Sequence, residues 1–299
     1  MKKFAAVILS LLVAASMAGC GSAKTASSTA AKSAAKSASA AKSSSAKSAA
    51  KSTAAKSTAS STSGKKTFTV GFDAEYPPYG YMDDKGQYVG FDLDLAQAVC
   101  DMEGWELVKT PIDWDSKDME LNSGSIDCIW SGFTINGREN DYQWTQPYVD
   151  NSQVMIVSEK SGISSLADLK GKTVGVQSAS AALTLLQDPE GQKSLADTFK
   201  NLQEFGDYNS AFVELQSGSI DAVAMDIGVA NYQIKSRGDG FKILGEALNT
   251  EQYGVGFKKG NTALCDTVNA DLTKLANDGT VAKLADKYGI SDLVCLKAK

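Results

Sequence analysis

The chain of 299 residues contains no histidine and only five cysteines. The absence of histidine excludes Ser-His-Asp and Cys-His nucleophiles, and it removes the commonest general base and metal ligand. No phosphate-binding GxxxxGK[ST] sequence occurs, because Gly171-Lys172-Thr173 lacks the upstream glycine. The sequence therefore offers no evident catalytic centre, and we expect neither a cofactor nor a metal.

The cysteines form no CxxC pair, so neither a zinc site nor a redox motif is indicated. Cys100 stands alone, and Cys128 lies in an apolar, strand-like run, where it is expected to be a small buried hydrophobe. Cys265 and Cys295 could form a disulfide outside the cytoplasm, provided that their Cα atoms lie close enough. The fifth cysteine, Cys20, belongs to the N-terminal segment described next.

Acidic residues are absent from the first 64 positions. Lys2 and Lys3 precede an apolar run at 4–18, and small residues stand before Cys20, as in an export signal covering residues 1–19. A transmembrane helix is the alternative, but the run is short for one. SMAGC (16–20) resembles the lipobox of bacterial lipoproteins, which implies lipidation of Cys20 and anchoring outside the cytoplasm.

Residues 21–64 consist almost entirely of Ala, Ser, Thr and Lys, and contain no hydrophobic side chain larger than Ala. Such a composition cannot bury a core that offsets the entropy of ordering, so residues 20–64 are predicted to be a disordered tether. Its lysines could contact anionic lipid, although a solvated spacer is favoured. The remaining residues carry a net charge of −14, which argues against nucleic acid as a partner.

From Lys65 onward, β-rich runs alternate with amphipathic stretches, a pattern that favours parallel α/β layers. We expect strands at 68–72, 105–110, 126–132, 153–158, 173–177, 220–225 and 252–257. We expect helices at 92–102, 117–121, 180–187, 209–217 and 226–236, and a helical end from residue 261.

A repeated stretch stands out in this body. LNSGSIDCIWSG begins at Leu121 and LQSGSIDAVAMD begins at Leu215. In each copy a helix should end at Ser-Gly, and a strand should follow Ile-Asp, with the Asp side chain holding the turn. Two helix-turn-strand units of this kind indicate two α/β lobes of similar build.

Polar residues follow both repeats, and ligands of open α/β sheets gather beyond the carboxyl ends of strands. The first copy continues into Ser131, Gly132, Thr134 and Arg138, whereas the second ends at Asp226. A guanidinium suits a carboxylate and a carboxylate suits an ammonium. A cleft with these groups on opposite walls could hold both charged ends of an α-amino acid.

At this point the sequence resembles the polar amino acid substrate-binding proteins of ABC importers (solute-binding protein family 3), in their lipoprotein form. The resemblance covers residues 66–290 and rests on six motifs in a fixed order. They are GFDAEYPPYGY (71–81), YVGFDLDLAQAV (88–99), DWDSKDMELNSGSIDCIWSGFTINGRE (113–139), DLKGKTVGVQSAS (168–180), LQSGSIDAVAMD (215–226) and DGTVAKLADKYGI (278–290).

The resemblance implies a role for nine residues in ligand binding. Two aromatic residues, Tyr76 and Trp114, would sandwich the ligand side chain. Asp73 matches a position that contacts the side-chain cation in members that bind lysine or arginine. The remaining residues would bind the α-amino and α-carboxylate groups: Ser131, Gly132, Thr134, Arg138 and Ser180 with the carboxylate clamp at Arg138, and Asp226 for the ammonium.

The implied fold is a two-lobed, periplasmic-binding-protein-like (type II) α/β fold whose hinge consists of two crossing strands. Lobe one would comprise 65–154 plus 252–299, and lobe two 155–251. The implied activity is capture of a polar L-amino acid by hinge closure of a monomer that docks on an ABC permease. A basic amino acid is favoured, and glutamine, histidine and cystine stay open as ligands. A sensory binding module and a dehydratase-type enzyme on the same fold are the alternatives.

Overall fold

The structure is a computed structural model that describes residues 65–238 and 240–298. The predicted signal sequence, Cys20 and the tether lie outside these residues. The strands are β1 (Thr67–Phe72), β2 (Glu75–Tyr76), β3 (Gly80–Met82), β4 (Tyr88–Val89), β5 (Glu106–Pro111), β6 (Cys128–Ile129), β7 (Tyr142–Trp144), β8 (Val149–Asn151), β9 (Gln153–Ser158), β10 (Thr173–Gln177), β11 (Asn201–Phe205), β12 (Ala222–Asp226), β13 (Phe241–Ile243), β14 (Glu251–Tyr253) and β15 (Gly256–Lys258).

The α-helices pack around these strands, and none in the described ranges is long and apolar enough to cross a membrane. They are α1 (Phe91–Glu103), α2 (Lys117–Ser123), α3 (Ala181–Gln187), α4 (Lys193–Ala196), α5 (Tyr208–Ser217), α6 (Ile227–Arg237), α7 (Thr262–Asn277) and α8 (Thr280–Tyr288). Residues 289–298 are not helical, and Val294 forms a bridge with Val149, so the expected helical end stops at α8 within the described residues.

Two five-stranded sheets form the centres of two lobes. Lobe one has the order β5-β1-β6-β15-β7, and lobe two has the order β11-β10-β12-β9-β13. The first three strands of each sheet are parallel, whereas the pairs that follow are antiparallel. The two-lobed α/β fold is thus confirmed, but the expectation of parallel layers alone is wrong. The antiparallel strands β9 and β15 enter their sheets from the hinge and need no crossover helix.

The hinge consists of two strands that cross between the lobes, as predicted. β8 leads from lobe one directly into β9 of lobe two, and β14 leads back into β15 of lobe one. β8 and β14 form an antiparallel pair, with Val149 opposite Tyr253. The single strand expected at 252–257 is therefore two strands, because the chain turns at Gly254 and enters a different sheet.

The sheet of lobe two is covered on both faces. Val223 and Met225 of β12 pack in the larger core cluster, and Ala222 and Ala224 pack in a second cluster on the opposite face. Strands buried on both faces read as continuous apolar runs, which explains the VMIVS and DAVAM stretches. The strand ends are thereby held rigidly at the edge where the polar residues lie.

The repeated stretches form equivalent units in the two lobes. Gly124 and Gly218 end α2 and α5 in the left-handed conformation, with φ values of 81° and 78°. The aspartates do not hold their own turns as expected. Asp127 accepts a bond from Thr69 N, and Asp221 accepts one from Thr173 N, both at 2.8 Å, so each fastens the neighbouring parallel strand.

The cysteines of the described chain are all free thiols. Cys128 is fully buried, as predicted. The bridge considered between Cys265 and Cys295 is not formed, and Cys265 is a buried residue of α7 whereas Cys295 lies on the C-terminal segment.

Candidate ligand-binding cleft

A small cavity lies between the lobes, at the carboxyl ends of β1, β10 and β12. All nine residues singled out in the sequence line it. Gln177 and Ala181, which the sequence reading did not single out, complete the lining. The free space in it is about 10 Å³, the room of about one water molecule, so the lobes must separate for a ligand to enter.

The aromatic residues Tyr76 and Trp114 line this cavity from lobe one. The Tyr76 ring lies 6.0 Å from the Tyr208 ring of lobe two, and its hydroxyl lies 3.2 Å from that of Tyr253. Trp114 stands edge-on to Phe133, with ring centroids 5.5 Å apart, and stays partly exposed. Both rings therefore offer apolar surface to a ligand side chain.

Arg138 approaches the cavity from the loop after β6. Its guanidinium lies over the Phe133 ring at 5.3 Å, and Nη1 donates to the Thr134 carbonyl at 3.3 Å. Pairing with Glu139 or Asp141 was the alternative role, but Arg138 forms no ion pair within residues 65–238 and 240–298. Its charge is thus available to a carboxylate in the cleft.

The loop that starts at Ser131 is fixed by bonds from neighbouring segments. Ser131 Oγ accepts a bond from Asp73 N at 3.0 Å, and Gly132 N donates to Asp92 Oδ2 at 2.6 Å. Gly132 has φ 55°, and a Cβ there would lie 2.7 Å from the Tyr76 ring, so glycine is required. Because Asp92 takes the N–H of Gly132, this backbone group does not face the cleft.

Burial dominates the electrostatics of Asp92. The side chain is fully buried, and this burial raises the pKa of its carboxyl to about 7, although bonds from Gly132 and Tyr148 oppose the shift. Asp92 was not singled out in the sequence, where it reads as one acidic residue in the first turn of a helix.

Asp226 closes the cavity from lobe two, at the carboxyl end of β12. Oδ1 accepts bonds from Asn151 at 2.7 Å, Gln153 at 2.7 Å and Tyr253 at 2.6 Å, and Oδ2 accepts a longer bond of 3.4 Å from Tyr208. Its side chain makes no capping bond to α6, so the alternative role as an N-cap is not realised. The carboxylate is directed at the cleft instead.

Asp73 and Gln177 join the two lobes at the other end of the cavity. Gln177 Nε2 donates to Asp73 Oδ2 at 2.7 Å, and Glu75 N donates to Asp73 Oδ1 at 2.8 Å. Burial raises the pKa of the Asp73 carboxyl to about 6, against these two bonds. Ser180 lies on the same wall, where its hydroxyl caps α3 by accepting a bond from Leu183 N at 3.1 Å.

A wider cavity of about 660 Å³ adjoins the first and shares Asp73 and Trp114 with it. The charged side chains that line this outer cavity are all acidic: Asp73, Glu75, Asp113, Asp115, Glu120 and Asp207. A cleft lined by one sign of charge raises the local concentration of ligands with the opposite sign. The entrance therefore favours a cationic ligand.

Several polar residues behind the cavity were missed in the sequence. Asn151, Gln153 and Glu251 are buried, and they bond to Asp226 or Thr134. The available signal was weak: Gln153 and Glu251 are the first residues of β9 and β14, where a polar side chain is not unusual.

A two-lobed α/β fold with a polar cleft and a hinge of two strands defines a solute-binding protein that holds a small ligand between its lobes. The chain belongs to the bacterial extracellular solute-binding proteins, family 3, whose sequence model matches residues 68–291. This match covers most of the chain and nearly all of the described residues.

Curated relatives and solved structures agree with this membership. The chain is 29% identical to the L-cystine-binding protein TcyJ of Escherichia coli K12, covering 76% of this chain and 84% of that protein. It is 30% identical to ABC transporter arginine-binding protein 1 of the same organism, covering 76% and 92%. It also resembles an ABC uptake transporter substrate-binding protein of Streptococcus pneumoniae with bound histidine, with 32% identity, 77% and 94% coverage and a TM-score of 0.73.

Proposed function

We propose that this protein captures a free polar L-amino acid in the cleft between its lobes and delivers it to an ABC permease. One observation carries the proposal: Arg138 and Asp226 line the same small cavity from different lobes, and neither forms an ion pair within the described residues. A free amino acid carries the two charges that complement them. Its relatives, named for binding rather than for catalysis, support this reading.

The ligand class that the cleft favours is a basic amino acid. Asp73 lies at the junction between the cavity and the acidic entrance, where a side chain extending from the α-carbon would reach it. The aromatic faces of Tyr76 and Trp114 attract a nearby cation by about 0.5–2 kcal/mol. Glutamine, histidine and cystine have polar side chains that the same walls could accept, so they belong in any test.

Hinge closure is the proposed mechanism. Lobe one would comprise residues 65–154 and 252–299, and lobe two residues 155–251, so that the hinge strands are the only covalent connections between them. A ligand held by Arg138 on one lobe and Asp226 on the other binds the closed form more tightly than the open form. It therefore shifts the equilibrium toward closure. The contact between Asp73 and Gln177 would form in the same step.

We further propose that lipid on Cys20 anchors the protein outside the cytoplasm, as a monomer. The segment 20–64 would then serve as a tether of roughly 35–40 Å root-mean-square length. Tethering would keep the receptor near its permease and so raise its effective concentration there.

Titration calorimetry of the purified protein with the twenty amino acids and L-cystine tests the proposal. At least one of them should bind with a dissociation constant below about 100 μM, roughly −5.5 kcal/mol. Glycylglycine and agmatine are matched controls. In glycylglycine the ammonium and the carboxylate lie farther apart than in a free amino acid, and agmatine lacks the carboxylate. Failure of the whole panel to bind would contradict the proposed function.

A further inference from the structure

Two buried carboxylates lie side by side at the hinge. Asp226 and Glu251 are each only 4% exposed. The amide nitrogen of Asn151 donates to Asp226 Oδ1 at 2.7 Å and to Glu251 Oε1 at 2.8 Å. The amide nitrogen of Gln153 does the same, at 2.7 Å and 2.9 Å. The two acids thus share the amide donors of Asn151 and Gln153, and Asn249 donates to Glu251 Oε2 as well, at 3.2 Å. Asn151, Gln153 and Glu251 all lie on the crossing segments.

The pair has no cation of its own. Neither Asp226 nor Glu251 takes part in an ion pair within the described chain. The side-chain oxygens of Asn151 and Gln153 are buried without a hydrogen-bond partner there, so both amides present nitrogen to the carboxylates and leave their oxygens unpaired. Two buried like charges need either a proton or an added cation. The ligand cavity, which Asp226 lines, is where a cation can enter.

Thr134 links Glu251 to that cavity. Its hydroxyl donates to Glu251 Oε1 at 2.8 Å, and Thr134 lines the cavity whereas Glu251 does not. A hydroxyl has a single proton and two lone pairs. Because Glu251 takes the proton, the hydroxyl oxygen can only accept bonds from a ligand. An ammonium has three donors and no acceptor, so it matches this hydroxyl and the Oδ2 atom of Asp226.

We propose that Glu251 is a positioning residue for the α-ammonium group of the bound amino acid: it holds the Thr134 hydroxyl as an acceptor and places a second negative charge behind Asp226. This inference rests on the proposed function, because it assumes that an amino acid occupies the cavity. It assigns to the hinge strand β14 a part in recognition, in addition to its part in connecting the lobes.

A proton should couple to binding at this position. Burial, followed by the charge of Asp226, raises the pKa of the Glu251 carboxyl in the ligand-free protein. An ammonium at the Asp226 end favours the charged form and lowers that pKa, so a proton leaves Glu251 for the buffer when the ligand binds. Binding should therefore strengthen as the pH rises through the ligand-free pKa of Glu251, and become independent of pH above it.

Other groups surround Glu251 and bear on this linkage. Asp226 faces it from β12, Tyr208 from α5 and Tyr253 from β14. Arg138 reaches the carbonyl of Thr134 from the lobe-one loop. On the outer side of the hinge, Glu251 and Asp150 line a cavity of about 510 Å³, which gives the proton a route to solvent.

Calorimetry of wild type, Glu251→Gln and Glu246→Gln with L-glutamine and L-arginine, at about pH 5, 6, 7 and 8, tests the inference, together with any other panel amino acid that binds wild type. Glu246 is exposed, so its variant removes the same charge away from the cleft. We expect Glu251→Gln to weaken binding by about tenfold at pH 8, the equivalent of one pKa unit, and to flatten the pH dependence. Both ligands should respond alike, because both carry the α-ammonium.

A second measurement does not depend on a variant that folds. Wild-type titrations over the same pH range, in buffers of different ionisation enthalpy, should show proton release when L-glutamine binds below the ligand-free pKa of Glu251. L-Glutamine is used because its neutral side chain brings no charge to Asp73. The release should fall in Glu251→Gln. A double-mutant cycle with Thr134→Val should be non-additive if Glu251 acts through that hydroxyl.

The outcomes separate the inference from the proposed function. A wild-type protein that binds no amino acid of the panel overturns both. A wild-type protein that binds without proton release, or a Glu251→Gln variant with the wild-type pH dependence and affinity, overturns the inference alone.

Discussion

Gly228 is the position where a single methyl group should oppose closure of the lobes. It lies in the first turn of α6 in lobe two, and its Cα faces the ring of Tyr79 in lobe one. A Cβ at this position would lie 2.3 Å from Tyr79 Oη, 3.0 Å from Cζ and 3.1 Å from Cε2. Ordinary contacts of a Cβ begin at 3.4 Å, so the overlap with the hydroxyl is about 1 Å.

Tyr79 cannot move aside without disturbing the cleft. It is fully buried, and its ring contacts those of Tyr76 and Tyr253 at centroid distances of 5.7 Å and 5.3 Å. Its hydroxyl has no hydrogen-bond partner among the described residues, so no polar group would draw it elsewhere. The strain of Gly228→Ala can therefore be relieved only if the lobes separate. The substitution should favour the open form.

Overpacking of this kind costs about 1–3 kcal/mol. If only the closed form holds the ligand tightly, the cost appears in the dissociation constant as an increase of about 5- to 150-fold. The stability of the ligand-free protein should not fall, because alanine favours a helix over glycine by about 1 kcal/mol. Reduced affinity together with undiminished stability distinguishes a block to closure from general damage.

Calorimetry with the tightest-binding amino acid of the panel and thermal unfolding without ligand are the two assays. Gly245→Ala is the matched control, since a Cβ at Gly245 would meet no atom within 4 Å. Tyr79→Phe in the Gly228→Ala background removes the closest atom and should restore part of the affinity. Wild-type affinity in Gly228→Ala would show that the contact with Tyr79 does not limit closure.

Three further substitutions test individual contacts. Arg138→Ala should weaken amino acid binding about a hundredfold or more, by ~3 kcal/mol in calorimetry, because the ligand carboxylate loses its partner; near-wild-type affinity would rule out the clamp. Asp73→Asn should weaken L-arginine binding by about tenfold more than L-glutamine binding, and an equal effect on both ligands would exclude a side-chain role. As the pH rises from about 4 to 7, the free energy of unfolding of wild type should fall relative to that of Asp92→Asn, by at most about 4 kcal/mol in urea unfolding. The fold raises the Asp92 pKa from 3.8 to about 7, so wild type loses stability as the carboxyl ionises over that window, and parallel pH profiles would contradict this.

The elements of the fold could largely be predicted because their signals are local. Helix ends at Gly124 and Gly218, and strands such as 173–177, follow from turn chemistry and apolar runs in the sequence. The division of 252–257 into β14 and β15 could not be predicted, because one apolar run does not reveal that its halves pair with different sheets. The bonds of Asp127 and Asp221 to neighbouring strands could not be predicted either, because the sequence does not show which strand lies beside each aspartate.

Some residues of the cleft could likewise be predicted from the sequence, and others could not. The residues that line it follow strand ends or match motifs of the resemblance, and the structure brings all nine into one cavity. Gln177 and Glu251 act across the lobes or the hinge, with partners such as Asp73 and Thr134 that are about 100 residues or more away in the chain. Contacts at that separation depend on how the lobes meet, which no local pattern encodes.

A crystal structure of the protein with the tightest-binding amino acid of the panel would show directly how the cleft holds its ligand. We expect one molecule in the cleft, with its α-carboxylate on Arg138 and its α-ammonium on Asp226 and Thr134. A ligand bound in the reverse orientation, or outside the cavity between the lobes, would contradict this expectation.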